Sequence, residues 1–187
     1  MAGDIPVLSD ALFALFSGTS WVFLPATDPL LIADDLDADI VDQGQSWGTN
    51  PHAGEGPGVL VLTAPIRGWM LLEGASETVG DAAIVLSHDR SVFRATVDVR
   101  LPAMSWAHLE GGMPTRTVSV ELGDDGDLVT RTTGHPRPFE AAELVCPTAE
   151  HGLDPFFYPV AILDVHGVRL LDLERAMVRP SVTLQLR

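Results

Sequence analysis

Six histidines, one cysteine and a short run of aspartates are the residues here whose types could do chemistry. The histidines are His52, His88, His108, His135, His151 and His166. Helical metal sites place two histidines four apart, and zinc ribbons and fingers pair cysteines at short gaps; neither spacing occurs. His88 and Asp89 close one apolar segment, with Asp98 and His108 following, and these groups read as turn and surface positions. Cys146 precedes a proline, with His151 five residues on. A Cys–His pair is made in space, so this spacing neither supports nor excludes one, and the thiol reads as inert. There is no Gly-x-Ser-x-Gly elbow. Gly54 and Gly56 are not followed by the rest of a phosphate loop. No catalytic residue, metal site or cofactor is expected, and an enzyme is disfavoured.

Asp34, Asp35, Asp37 and Asp39 resemble a calcium run at first sight. Leu36 and Ala38 interrupt it, and no bidentate glutamate closes a twelve-residue loop. These four carboxylates are better suited to meeting a protein. They stand close in sequence to residues 42 to 57, which hold four glycines, two prolines and Trp47. A loop of that length is functional or mobile. Trp47 is either folded back onto the core or displayed as an anchor for a partner. The candidate partner-binding residues are therefore Trp47, Asp34, Asp35, Asp37 and Asp39.

Charge narrows the function classes further. The chain of 187 residues carries 26 acidic and 11 basic side chains, a net charge of −15, and every basic residue is arginine. Such a surface repels phosphate backbones and anionic membranes and draws basic partners. Hydrophobic residues make up 46% of the chain, enough for one domain, 1–187, with a real core. No apolar run reaches the ~20 residues that span a bilayer. The first residues lack the basic start of a signal peptide, and a cytoplasmic protein is expected. A lone cysteine allows no internal disulfide.

The elements that would position these residues are legible in outline. Leu8 to Ser17 has helical spacing, Trp21 to Leu24 reads as a strand, and Asp28-Pro29 has the N-cap and first-turn signature of a helix. Residues 58 to 133 form the organising stretch. Val59 to Thr63 and Trp69 to Glu73 are short apolar runs around a turn at Ala64 to Gly68. Phe93, Ala95, Val97 and Val99 alternate with Arg94, Thr96, Asp98 and Arg100, the pattern of a half-buried antiparallel strand. Met104 to Leu109, Thr117 to Leu122 and Leu128 to Thr132 follow, with turns at Gly111-Gly112 and Asp124 to Asp127. Thr78 to Ser87 fits a helix or a strand equally. Gly134 to Pro138 is a linker, and Phe139 to Val145 reads as a helix. Asp154-Pro155 opens another helix that closes at Gly167, a short helix lies within Val168 to Ala176, and Ser181 to Leu186 adds a terminal edge strand. The expected fold is α+β, a central antiparallel β-meander over about 58–133 with helices near both ends packed on it.

The order of these features resembles a family of uncharacterised actinobacterial α+β domains with no assigned activity. The features are Gly68-Trp69 through Gly74, the strand from Val92 leading into Met104 to Gly111, Gly152 to Pro155, and Gly167 to Leu170. The similarity runs from about Leu8 to Arg179 and consists of turns, helix starts and core aromatics. It implies an α+β fold and a cytoplasmic actinobacterial setting, and it brings no catalytic residue.

The expected function is a non-catalytic acidic protein-binding domain, a neutraliser of the immunity type for a basic partner. The alternatives are a structural component of a larger assembly, such as a phage particle or secretion machine, with self-association, and a small hydrolase-type enzyme, which is disfavoured. Nucleic-acid and membrane partners are not expected.

Overall fold

The computed structural model describes residues 20–49, 56–98, 103–140 and 160–187. They form one antiparallel sheet of nine strands with four short helices. In chain order the elements are β1 (Ser20–Pro25), α1 (Pro29–Asp35), β2 (Ala38–Ser46), β3 (Val59–Thr63), β4 (Trp69–Gly74), α2 (Ser76–Leu86), β5 (Val92–Asp98), β6 (Ala103–Glu110), β7 (Met113–Leu122), β8 (Leu128–Gly134), α3 (Val160–Val165), α4 (Leu170–Met177) and β9 (Pro180–Leu186). Across the sheet the order is β2-β9-β3-β4-β1-β5-β6-β7-β8.

The expected meander is therefore split. β3 and β4 form a hairpin, and β5 to β8 form a meander, but β1 stands between the two. It pairs Val22 with Leu72 of β4 on one side and with Arg94 of β5 on the other. The reason lies in its composition. Residues 20 to 24 are all buried, with no polar alternation, and such a strand needs cover on both faces. Trp21 and Phe23 join one core with Phe93, Trp106, Val118, Ile162 and Leu173. Val22 and Leu24 join the opposite core with Ile32, Leu60, Leu72, Val79 and Leu86. Helices α1 and α2 cover the second face, and α3 and α4 the first.

Local sequence explains the helices. Asp28 caps α1, its carboxylate accepting from the Leu30 N–H at 2.9 Å, with Pro29 in the first turn. The segment around Thr78 to Ser87 resolves as helix α2. Val79, Ala82, Ala83 and Leu86 recur at helical spacing on its buried side. The helix α3 ends as expected at Gly167, whose φ of +82° suits a residue without a side chain. The leading segment 8–17, residues 141–145 and the Asp154-Pro155 start lie outside the described residues.

Two other expectations change. β9 is not an edge strand: it lies between β2 and β3. The expected long loop is shorter, because β2 runs to Ser46 and a single 3₁₀ turn, Trp47–Thr49, follows. β2 is a solvent-facing edge with two register shifts, so its residues carry little apolar pattern to betray it.

Gly74 sits where β1, β3 and β4 approach closely. It pairs with Ser20 and with Leu60, and an added Cβ would lie 2.9 Å from the Val59 carbonyl oxygen. Backbone cannot yield as a flexible side chain does. Gly74→Ala is expected to lower stability by about 1–3 kcal/mol in urea unfolding. An unchanged midpoint would contradict this packing.

Candidate functional site

The acidic run converges on one pocket. Helix α1 ends at Leu36, and Asp37 takes the left-handed conformation, φ +49°, with its N–H on the Asp34 carbonyl at 3.2 Å. Aspartate tolerates that backbone better than most side chains. The reversal sends the chain into β2, where Ala38 pairs with Leu186 and Asp39 with Gln185. Arg187, which follows β9, is thereby brought against the run. Its backbone N–H donates to the Asp37 carbonyl at 3.1 Å. Its guanidinium donates to Asp37 Oδ1 at 2.8 Å from Nη1, and to Asp39 Oδ1 at 2.6 Å from Nη2 and 3.1 Å from Nε.

The pocket has a volume of about 260 Å³. Leu30, Ala33, Ala38 and Ile40 give it an apolar floor, and Asp34, Asp37 and Asp39 give it an acidic rim. That combination matches a long basic side chain, with its methylenes on the floor and its charged head at the rim. Arg187 holds the Asp39 carboxyl below its usual range, through hydrogen bonds and charge, and is itself raised by Asp39 and Asp37. All three are well exposed, so the pair adds little to stability. Asp35 stands apart from the pocket and bonds Arg90 instead.

Trp47 is 2% exposed, which corrects the picture of a displayed anchor. Its indole N–H donates to Glu73 Oε2 at 2.9 Å, and its backbone N–H to the Arg179 carbonyl at 3.2 Å. Gly48 beside it lies against Met177. The ring thus closes the core under α4. A tryptophan needs a partner for its N–H when buried, and a glutamate on a strand supplies it. Glu73 is correspondingly perturbed: burial pushes its carboxyl up to about 7, against the lowering effect of the Trp47 hydrogen bond.

Of the four described histidines, two stand apart and two converge. His88 is exposed at the end of α2, against Gly112. Asp98 lies at the far end of β5 from the Phe93–His108 pairing, ~16 Å along the strand. His135 is exposed. His52, His151 and Cys146 lie outside the described residues. His108 and His166 do converge, about Phe93, at ring-centroid distances of 4.6 and 4.8 Å. His166 also meets Trp69 at 4.7 Å, Phe139 at 5.5 Å and Phe23 at 5.7 Å. Burial lowers both imidazoles from their usual value.

Hydrogen bonds fix the role of His108. Thr115 Oγ1 donates to the His108 carbonyl at 3.1 Å and accepts from Arg137. A hydroxyl has one proton, so at 3.2 Å it accepts from His108 Nδ1–H, and Nε2 accepts from the Ser91 hydroxyl at 2.5 Å. This has the contact of a nucleophile with its base. The third partner is a hydroxyl rather than a carboxylate, and the ring is 5% exposed beside Phe93 and Phe139. The arrangement ties the β6–β7 hairpin to the sheet. Nearby, Arg116 and Glu140 form an ion pair at 2.9 Å with both side chains at least 96% buried, and Arg116 also donates to the Thr133 and Gly134 carbonyls. Among the described residues no three His, Cys, Asp or Glu side chains gather as a metal set.

No protein-family model, curated protein or solved structure matches this chain. Sequence reasoning singled out the four aspartates but not Arg187, because a partner almost the whole chain away leaves no local signal. Glu73 was equally hidden: it looked like one polar residue ending an apolar strand.

Glu73 makes a pH prediction with a definite sign. Its carboxyl holds a proton more tightly folded than unfolded, so it takes stability away as pH rises from 4.5 through about 7. His108 and the half-buried His166 act oppositely, removing stability as pH falls below 6.5. Glu73→Gln keeps an acceptor for Trp47 and cancels the first effect alone. The variant is expected to gain on the order of 1–3 kcal/mol relative to wild type between acid and alkaline conditions. Urea unfolding at both ends of the window checks it, and a pH-independent difference would refute it.

Proposed function

We propose that the chain is a non-catalytic α+β domain that binds a basic protein, as a neutraliser of the immunity type. One observation carries this reading: the pocket edged by Asp34, Asp37 and Asp39 already holds a guanidinium, that of Arg187. A partner's arginine or lysine entering it would take the place of Arg187, with the same carboxylates at the rim and an apolar floor for its methylenes. The remaining charge agrees. Arg67, Arg90, Arg116, Arg131 and Arg137 are also engaged with carboxylates of the same chain. The chain's excess of acid, a net charge of −15, steers a basic partner inward. Asp34, Asp37 and Asp39 of the pocket make up the partner-binding surface, with Asp35 adjoining them in sequence; Trp47 lies in the core of the other sheet face and is not part of that surface. A cytoplasmic setting and kinship with the actinobacterial domains belong to the same proposal.

A second reading, a component of a larger assembly, draws on one feature. Among the described residues β8 ends the sheet, and most of its residues are exposed. An open edge can pair with another chain. Light scattering that gives a monomer at all concentrations would remove this alternative.

The principal reading is tested by titrating a labelled hexa-arginine peptide, at low and high salt, into three proteins. Binding to wild type is expected to weaken with salt. Asp37→Asn with Asp39→Asn keeps residues that tolerate the local backbone, and is expected to weaken binding about fivefold, the worth of roughly one exposed ion pair. Asp124→Asn with Asp125→Asn removes the same charge from a distant turn and should change it little. Equal losses in both variants would mean net charge alone acts, and the pocket would not be the site.

A further inference from the structure

A second depression lies on the face of the sheet beyond the cover of α2. It has a volume of about 300 Å³, and no carboxylate lines it. Register builds it. Thr96, Ser105 and Ser119 stand side by side on β5, β6 and β7. The next row is Arg94, Ala107 and Thr117. Ala107 has only a methyl group, so the floor sinks between the guanidinium and the hydroxyls. Three strands place the two sides ~10 Å apart.

Arg94 is seated there by a specific accommodation. A Cβ added at Gly80 would lie 3.2 Å from the guanidinium carbon and equally from both terminal nitrogens, so the group lies flat on the helix. A glycine inside a helix costs about 1 kcal/mol relative to alanine, and here it makes room for that plane. Arg94 donates to the Ser76 carbonyl at 3.0 Å and to its hydroxyl at 3.4 Å, and to no carboxylate among the described residues. Its Nε is buried without a hydrogen-bond partner among them. This contrasts with Arg67, Arg90, Arg116, Arg131, Arg137 and Arg187, which all meet carboxylates. The two threonine hydroxyls are held in place: Thr96 bonds Ser20 at 2.8 Å, and Thr117 bonds Thr133 at 2.6 Å. Each hydroxyl keeps further capacity to donate or accept.

We propose that this groove binds a small oxyanion, with Arg94 meeting the charge and Ser105, Thr117 and Ser119 meeting the oxygens. A cation whose only bonds are to a carbonyl and a hydroxyl, facing a donor-lined depression, lacks only an acceptor with negative charge. The ligand is small because the groove is small. It carries one charge rather than several, since Asp81 acts on Arg94 from α2 and the chain's net charge is −15. Both carboxylates and phosphates offer this chemistry, and the field of the chain favours a hydroxycarboxylate. The site is independent of the acidic pocket.

The test is a ¹⁵N-resolved NMR titration of the full chain with sodium lactate, and separately with inorganic phosphate. Saturable shifts are expected at the amides of Thr96, Ser105, Thr117 and Ser119, at ligand concentrations of about 1 mM and above. Lactate is expected to bind more tightly than phosphate, and the reverse order would assign the site to phosphate, still as an oxyanion site. Ser105→Leu fills the depression without touching Arg94 or its seat on α2, and is expected to abolish the shifts while leaving the melting curve near that of wild type. Arg94→Lys keeps the charge but loses the planar fork, and is expected to weaken binding at least severalfold. Absence of saturable shifts with both anions, or equal shifts in Ser105→Leu, would overturn the proposal.

Discussion

Burial of β1 on both faces is the constraint on which the rest of the structure depends. Its side chains alternate between two separate cores, Trp21 and Phe23 in one, Val22 and Leu24 in the other. Each fully buried side chain of this size contributes roughly 1.5–3 kcal/mol, so removing the strand would open both cores together. It also joins the hairpin of β3 and β4 to the meander of β5 to β8, which otherwise share no strand pairing. Everything displayed at the two ends of the sheet is therefore held in one frame. The acidic pocket hangs from the β2–β9 end and the hydroxyl groove from the β5–β7 part.

Three interior polar groups each find partners for the demand that burial creates. Trp47 closes the core and finds Glu73 for its N–H. Arg116 lies under the β7–β8 end and finds Glu140 together with two carbonyls. His108 is satisfied on both nitrogens by Ser91 and Thr115. These groups are costly to bury, and breaking one side of such a pair strands the other in a medium that cannot solvate it. They act as positioning devices for loops that carry little apolar surface of their own.

Local signals in the sequence were reliable where the chemistry was local. The Asp28-Pro29 start, the Gly111-Gly112 turn and the alternation from Val92 to Val97 each depend on residues a few positions apart, and each is found in place. What escaped depended on distant partners. The apolar run at Trp21 did indicate a strand, but not that it would be covered on both faces, nor which strands would flank it. β2 escaped because an exposed edge needs no apolar face, and its pairing with β9 spans most of the chain. That one pairing also decides the candidate site, since it alone brings Arg187 to Asp37 and Asp39. The aspartates were visible, and the pocket they edge was not. For Trp47 the loop composition left fold-back and display both open, and the ring is folded back, with Glu73 of β4 accepting from its N–H.

The two surface depressions differ in a way that composition alone conceals. A chain with this excess of acid would be expected to show only negative surfaces. Yet the groove on β5 to β7 is lined by hydroxyls around one arginine, and the pocket beside α1 is lined by carboxylates around another. In the pocket the arginine is neutralised by two aspartates. In the groove Arg94 meets only neutral oxygens, and burial lowers its pKa while Asp81 opposes the shift. The difference arises from strand register. A row of Ser and Thr across three neighbouring strands keeps carboxylates out of the lining of the groove that Arg94 borders. Opposite local fields are thus kept on one small sheet by the alternation of its strands rather than by any segregation of charge along the sequence.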